Sequence, residues 1–361
     1  MDLSDFLVDR SDLSRVRWEA AQTRADAPLD PGTALLQIER YSFTTNNITY
    51  GLMGEAMRYW DFFPAPTGWG RIPVWGYAHV VASRVPQLRE GDRFYGYFPM
   101  SPYLLVQPEQ IDDRSFVDVS EHRVPLPSTS QRYERVAPSD PRTEDLRVVL
   151  RPLFGTGLLI DDWLADNKLF GARQVLIGSA SSKTGLATAF NLSRRVGRNF
   201  GIVALTSAHN RAFCQRVGYY DLVVDYAEID SLKNDVPAVF VDMAGDRTVL
   251  EAVHEHFGDA LRQSSLVGMT HRALSLAPGA LDLPGPKPEM FFAPTQVETS
   301  IKTWGSEGLS RRVAEALRAF LASADGWMKI EHGTGREAIE SAYRRTLDGK
   351  VEPTQGIILS L

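Results

Sequence analysis

From Leu150 to about Pro294 short apolar runs alternate with amphipathic stretches: QVLIG, TGLATAFNLSRRV, GIVALTS, AHNRAFCQRVG, DLVVDY, AVFVDMAG, TVLEAVHEHF, SLVGMT. Few folds accommodate such a chain. Strands written almost entirely in Val, Ile, Leu and Ala must be covered on both faces, and a helix between parallel strands supplies that cover. The alternation predicts a doubly wound parallel sheet, an α/β domain over residues 149–297.

The flanks read differently. Between Gly32 and Pro108 the runs ALLQIERYSF, GYAHVVASRV and GDRFYGYFPM are β-like, with Pro, Gly and Asn between them. Residues Glu109 to Arg147 are polar and rich in Pro, and read as loop and connection. After Pro294 come amphipathic helices near Leu309–Leu321 and Arg336–Thr346, then a strand-like close from Gly356 to Leu361. The α/β domain is therefore expected to be inserted into a β domain made of residues 1–148 and 298–361.

The chain has 361 residues, 43% of them hydrophobic, enough for two ordinary cores. No run approaches the ~20 apolar residues of a membrane helix. The N-terminal MDLSDFLVDRSDLSRVRW lacks the apolar stretch of a signal peptide, so a cytoplasmic location is expected. A net charge of −6 gives no basic face for nucleic acid. Cys214 is the single cysteine, which excludes an intrachain disulfide and any zinc site needing two thiolates. The seven histidines show no metal-binding spacing.

Chemistry is concentrated in QVLIGSASSKTGLATAF, Gln174 to Phe190, which has the outline of a strand, a tight turn and a helix start. Backbone N–H groups after Gly178 would then lie at a helix N-terminus, where orphan donors and the macrodipole favour a phosphate. With Gly185 as the last glycine of G-x-G-x-x-G, the first two glycine positions hold Ala180 and Ser182. A P-loop would need glycines where Ile177 and Ser182 stand. A strand–helix turn without a ligand is the plain alternative. The next strand, GIVALTS, ends at Thr206-Ser207, with Asn210 and Arg211 following. An acid there would bind the ribose 2′-OH of NAD; hydroxyls and an arginine tilt the site towards NADP(H), unless Arg211 is simply a solvated helix residue.

The phrases TNNITYGLMG, YWDFFP, IPVWGYAHVVAS, GDRFYGYFPM, ASSKTGLA, FFAP and DGKVEPTQGIILSL together carry a resemblance. The chain resembles the medium-chain dehydrogenase/reductase superfamily on its zinc-free, quinone-oxidoreductase-like side, and more closely a branch known only as a domain of unknown function. That resemblance implies a GroES-like β domain and a Rossmann domain with NAD(P) in the cleft between them. It implies that Ser179, Ala180, Ser181, Ser182, Lys183 and Thr184 hold the pyrophosphate. Thr206, Ser207, Asn210 and Arg211 would surround the adenosine 2′ end, with Tyr226 also on the adenosine side. Ala244 and Gly245 would end the fourth strand beside the cofactor, and Met269, Phe291 and Phe292 would approach the nicotinamide. Zinc-dependent relatives have Gly-His-Glu where this chain has Trp75-Gly76-Tyr77, so no metal is expected.

Quinone-reductase relatives place an Asn, and in some members a Tyr, just after the second strand of the β domain, a region that reads here Thr45-Asn46-Asn47-Ile48-Thr49-Tyr50. Asn46 and Tyr50 are the catalytic candidates, with Tyr50 either donating a proton or packing as a half-buried ring. The aromatic segment Tyr59 to Tyr77 belongs mostly to the core, and any ring left over suits a flat small-molecule substrate. Two functions follow from these residues: NADPH-dependent hydride transfer to a carbonyl, enone or quinone without metal, or a non-catalytic NADP(H)-binding accessory or sensor. The apolar SSLVGMTH, Ser264 to His271, is the expected sheet edge of a homodimer.

Overall fold

The computed structural model describes residues 3–26, 28–127, 130–268 and 282–361. It forms two compact units, one of Met1–Val149 with Met328–Leu361 and one of Leu150–Trp327.

In the first unit the β-rich sequence builds a nine-stranded sheet. Its order is Lys329–Thr334, Gln355–Ser360, Ala34–Phe43, Val74–Ser83, Arg93–Phe98, Arg132–Arg135, Ser115–Asp118, Pro108–Glu109, with Tyr103–Val106 paired onto Ala34–Phe43. The chain returns from the second unit to supply the first two of these strands. The helix Gly335–Leu347 presents Ile339, Ala342 and Tyr343 inward at three- and four-residue spacing, where they join Phe6, Phe43 and Phe98 in one core. Trp60 fills the space beside Gly54 and Gly70: a Cβ on either would stand 2.1 or 2.4 Å from the indole.

The stretch Glu109 to Arg147 is not the connection its polarity suggests. It holds the strands Ser115–Asp118 and Arg132–Arg135 and the start of a helix, Pro141–Asp166. Its charges are turned inward. Arg123 is fully buried, donating to Asp118 at 2.8 Å and to the Tyr133 hydroxyl at 2.7 Å. Glu144 accepts from Arg93 at 2.8 and 3.0 Å, from Arg40 at 2.5 Å and from the Ser139 N–H at 2.9 Å. Paired charge inside a fold is indistinguishable by composition from solvated charge on a loop.

The second unit is a six-stranded parallel sheet in the order Leu222–Asp225, Gly201–Thr206, Gln174–Gly178, Ala238–Asp242, Leu261–Leu266, Glu289–Met290. Chain order reverses between Gln174–Gly178 and Ala238–Asp242, so the crevice at their C-terminal ends is the switch point. The segment 298–327, expected with the β domain, falls in this second unit. It belongs to a long helix, Ala293–Ala324, broken at Gly305 (φ 69°, ψ 164°). Phe320 on that helix lies 5.2 Å from the ring of Phe154 and 5.1 Å from Phe190, while Ser323 and Tyr219 share a 2.6 Å hydrogen bond. An amphipathic stripe shows that a helix packs, but not on which sheet. The run from Ser264 is also no outer edge: its strand is Leu261–Leu266, and Glu289–Met290 pairs outside it. Residues 269–281, including Met269, lie outside the described part of the chain. Among the described residues no helix is long and apolar enough to cross a membrane.

Burial alone would raise the Glu144 pKa, but hydrogen bonds from Arg93 and the Ser139 N–H, with the charge of Arg40, hold it down to about 2. Its folded value lies below its unfolded one, so its contribution is complete above pH ~4.5 and is lost as pH falls towards ~2. Glu144→Gln should therefore cost roughly 1–3 kcal/mol at neutral pH and flatten the acid limb of stability. Urea denaturation of both forms between neutral pH and the acid limb checks this; parallel acid limbs would refute it.

Candidate cofactor site

Gln174–Gly178 ends at the switch point and the chain turns through Ser179 to Ser182 into the helix Lys183–Ser193. The turn leaves no room. Ser179 adopts φ +50°, and a Cβ on Gly185 would stand 3.0 Å from the Ser179 carbonyl oxygen, 3.1 Å from Ser182 Oγ and 3.2 Å from the Ala180 carbonyl oxygen. A side chain at Gly185 would force the turn to give by a few tenths of an ångström, so glycine suits this close approach of helix to turn.

The turn's donors are partly spent. Ser179 N–H donates to the Tyr226 hydroxyl at 3.1 Å, Ala180 N–H to Leu205 O and Ser182 N–H to Ser179 O. Ser182 Oγ caps the helix by accepting from Gly185 N–H at 3.1 Å. The N–H groups of Ser181, Lys183 and Thr184 have no hydrogen bond among the described residues. These three are the donors available to an anion.

Lys183 stands in the first helical turn with no ion pair or hydrogen bond among the described residues, and burial pushes its ammonium down to about 8. A cation so desolvated favours any anion brought beside it. Asp242, not among the sequence candidates, is an acid at the same switch point. It is buried at the end of Ala238–Asp242, its Oδ1 3.1 Å from where a Gly178 Cβ would be. Its carboxylate accepts the Ala244 and Gly245 N–H groups at 2.9 and 3.1 Å. So Ala244 and Gly245 direct their donors at Asp242. An acid closing an apolar strand, as in AVFVD, was the available signal.

At the end of Gly201–Thr206, Thr206 is buried, its hydroxyl hydrogen-bonded to Cys214, whose thiol burial pushes up to about 11. Ser207 is the N-cap of Ala208–Val217, yet its side chain makes no capping bond. Asn210 N–H donates to Ser207 O. Arg211 is held by Glu228, 2.7 Å from its carboxylate. That pair is exposed, so opening it costs less than about 1 kcal/mol. Tyr226 joins this side of the site to the turn. Burial and then the charges of Asp242 and Asp246 push its hydroxyl up to about 12, against the Ser179 N–H bond that lowers it. Phe291 and Phe292 follow the last strand at the same C-terminal end; Phe291 lies 5.6 Å from Trp163, and Phe292 is half exposed.

In the first unit, Thr45–Leu52 is a helix following Ala34–Phe43, and it sets Asn46 and Tyr50 one turn apart. The Tyr50 ring lies 4.5 Å from Tyr59 and 5.7 Å from Tyr97, and Trp75 Nε1 donates to its hydroxyl at 3.4 Å. Burial raises the Tyr50 pKa, with Trp75, Asn46 and Tyr97 drawing it back. Tyr97, not among the sequence candidates, is fully buried with its ring 5.7 Å from that of Tyr50. Its place was readable: alternation in RFYGYF and the pairing of Trp75 with Tyr97 put both on one face. Among the described residues no group of three or more His, Cys, Asp or Glu could hold a metal.

The model of a family described as "Protein of unknown function (DUF2855)" matches residues 41–352. The chain belongs to that family. No curated protein matches it. Its fold is shared with CurA from Vibrio vulnificus, crystallised with NADPH (15% identity, 99% of this chain and 97% of that one, TM-score 0.61). It is shared equally with the CurK enoyl reductase (15% identity, 99% of both chains, TM-score 0.59). A third is the yhdH oxidoreductase from Salmonella enterica in complex with NADP (13% identity, 99% of both chains, TM-score 0.53). At these identities the likeness is one of architecture, a GroES-like domain with a Rossmann domain.

The residues of this DUF2855 protein fit a dinucleotide phosphate on their own terms. Three N–H groups and an ammonium unpaired among the described residues, with a glycine where a Cβ would be tight against three oxygens, converge on the switch point. Tyr226→Phe should leave the Ser179 N–H without its partner, costing about 1 kcal/mol and lowering Tm by about 2–4 °C. Calorimetry measures this; an unchanged Tm would mean the hydroxyl does not hold the turn.

Proposed function

We propose that this protein is a zinc-independent, NADPH-dependent oxidoreductase acting on a carbonyl, enone or quinone-type small molecule. One observation carries the reading: an unpaired, desolvated Lys183 beside the unspent N–H groups of Ser181, Lys183 and Thr184 at the switch point of a parallel sheet. The fold shared with proteins crystallised with NADPH and NADP supports it.

In this reading Ser181, Lys183 and Thr184 hold the pyrophosphate, and Ser182 and Gly185 shape the turn beneath it. Tyr226 and Ser179 brace that turn from the adenosine side. Ser207, Asn210 and Arg211 receive the 2′-phosphate, with Arg211 exchanging its exposed Glu228 partner for a charge-assisted bond worth ~1.5–3 kcal/mol. Bound NADPH supplies a hydride. Tyr50, whose raised pKa keeps it protonated at neutral pH, is the proton or hydrogen-bond donor to the substrate oxygen, oriented by Asn46 and Trp75. The same reading retains a cytoplasmic homodimer, now through the exposed Glu289–Met290 edge; a monomeric mass by light scattering would refute the dimer.

A non-catalytic NADP(H)-binding role has one observation in its favour: burial raises the Tyr50 pKa and so makes the candidate proton donor a weaker acid. Steady NADPH oxidation with any member of a quinone and enone panel excludes it. Absence of any fluorescence change or thermal shift at millimolar NADPH overturns both readings.

Lys183→Gln should weaken NADPH about 10- to 100-fold, the value of one charge-assisted bond. The pH dependence has a definite sign. Phosphate favours the protonated amine, so its pKa rises in the complex; affinity is full below pH ~8 and falls up to about tenfold per pH unit above it. The Lys183→Gln titration should be flat over the same range, and a wild-type affinity independent of pH would remove Lys183 from the site. Tyr50→Phe should lower kcat by roughly 10²-fold with NADPH affinity unchanged.

A further inference from the structure

The second unit carries a cavity of about 760 Å³ that shares no residue with the serine-rich turn. It lies at the opposite end of the Lys183–Ser193 helix, walled by residues 190–200, by the end of Pro141–Asp166 and by the last third of Ala293–Ala324. Its floor is apolar, with Leu158, Leu164, Phe190 and Ala316. Lys168, Arg194, Arg195, Arg198 and Arg312 contribute to its wall, against Asp161 and Glu315. In a protein of net charge −6, that convergence calls for a cause.

Part of it is structural. Arg195 donates to Asp161 at 2.5 Å, Arg312 pairs with Asp162, and Arg198 pairs with Asp221 at 2.5 and 2.9 Å. A helix C-terminus also welcomes arginines such as Arg194. Neither accounts for Lys168. It comes from a different segment, is exposed, and like Arg194 has no ion pair among the described residues. It also opens a run of three non-glycine residues in left-handed conformation: Lys168, Leu169 and Phe170, with φ of 51, 53 and 52°. Each is a strained conformation for a residue with a side chain, and such a cluster persists where the surroundings or a function require it. The run fixes Lys168 at the wall of the cavity, while Arg194 stands over the Phe190 ring at 5.2 Å.

We propose that this cavity binds a small amphipathic anion, its carboxylate or phosphate held by Lys168 and Arg194 and its apolar body on the Leu158–Phe190–Ala316 floor. The volume is that of a small-molecule pocket. Arg195 and Arg312, their charges balanced by the buried Asp161 and Asp162, form a rigid wall that needs no reordering when the anion arrives and leave Lys168 and Arg194 as the lining cations without an ion pair.

Octyl phosphate is the probe, titrated calorimetrically into the full-length protein below its micellar concentration, with and without saturating NADPH. The expected result is saturable one-to-one binding that NADPH does not displace, and inorganic phosphate at least about tenfold weaker because it lacks the apolar body. The double variant Lys168→Glu/Arg194→Glu, both residues exposed and without ion pairs, should keep its circular dichroism, lower Tm only by what Arg194 contributes at the helix end and over Phe190, and lose about tenfold or more in affinity. Ala316→Trp, which fills the floor, should abolish binding while leaving the NADPH thermal shift as it was. No saturable binding at millimolar octyl phosphate, displacement by NADPH, equal affinity for inorganic phosphate, or full affinity in the charge-reversed variant would each overturn the proposal. If NADPH itself fails to bind, the nucleotide reading falls alone, since the two variants locate the octyl phosphate site without it.

Discussion

The geometry of the second unit turns on how closely the helix Lys183–Ser193 approaches the strand that precedes it. At the switch point a Cβ on Gly185 would meet three oxygens between 3.0 and 3.2 Å away, and one on Gly178 would meet Phe240 at 3.0 Å. That closeness dictates what the other residues do. Ser179 must take φ +50°, a strained value for a residue with a side chain, and its N–H is pinned by Tyr226. Ser182 must cap the helix with its own hydroxyl. What remains is a set of donors at the helix N-terminus with nowhere in the protein to go.

A serine version of such a turn differs physically from a glycine-rich one. Glycines let a ligand's phosphate approach bare backbone; here the hydroxyl of Ser182 is consumed internally, so charge has to come from elsewhere. Lys183 supplies it. Desolvation lowers its pKa to about 8, so its surroundings disfavour the charged form. Asp242 does not relieve this, because its oxygens are engaged by the Ala244 and Gly245 N–H groups. An anion binding here removes a cost as well as adding a contact, and that is why Lys183 weighs more than the exposed Arg211–Glu228 pair.

How much of this was legible in the sequence depended on whether the signal was periodic. The parallel strands were readable because Val, Ile and Leu runs between helices admit one architecture, and the turn because Gly178 and Gly185 bracket small residues. The region around Glu144 and Arg123 was not: buried ion pairs have the composition of a loop, and four-residue strands are too short to show alternation. The helix Ala293–Ala324 was seen only in its last third, since Ile301 and Trp304 in its first half face outward and Gly305 breaks its period. Its placement rests on Phe320 meeting Phe154 and Phe190, a contact between distant segments that no local pattern encodes. The role of Tyr226 as a brace was likewise hidden, because its partner lies 47 residues away.

The aromatic cluster of the first unit narrows the chemistry further. Burial raises the pKa values of Tyr50, Tyr59 and Tyr97 together, and Tyr97 and Tyr59 are raised further by the neighbouring Tyr50 hydroxyl. Hydroxyls that crowd one another in an apolar setting resist becoming phenolates, so none of them is suited to remove a proton at neutral pH. They are suited to donate. Tyr97 lies beside Tyr50, close enough for each hydroxyl to act on the other's acidity. A cluster that can give a hydrogen bond but resists losing a proton is consistent with the proposed reduction and offers no base for a reaction that would begin by deprotonating its substrate.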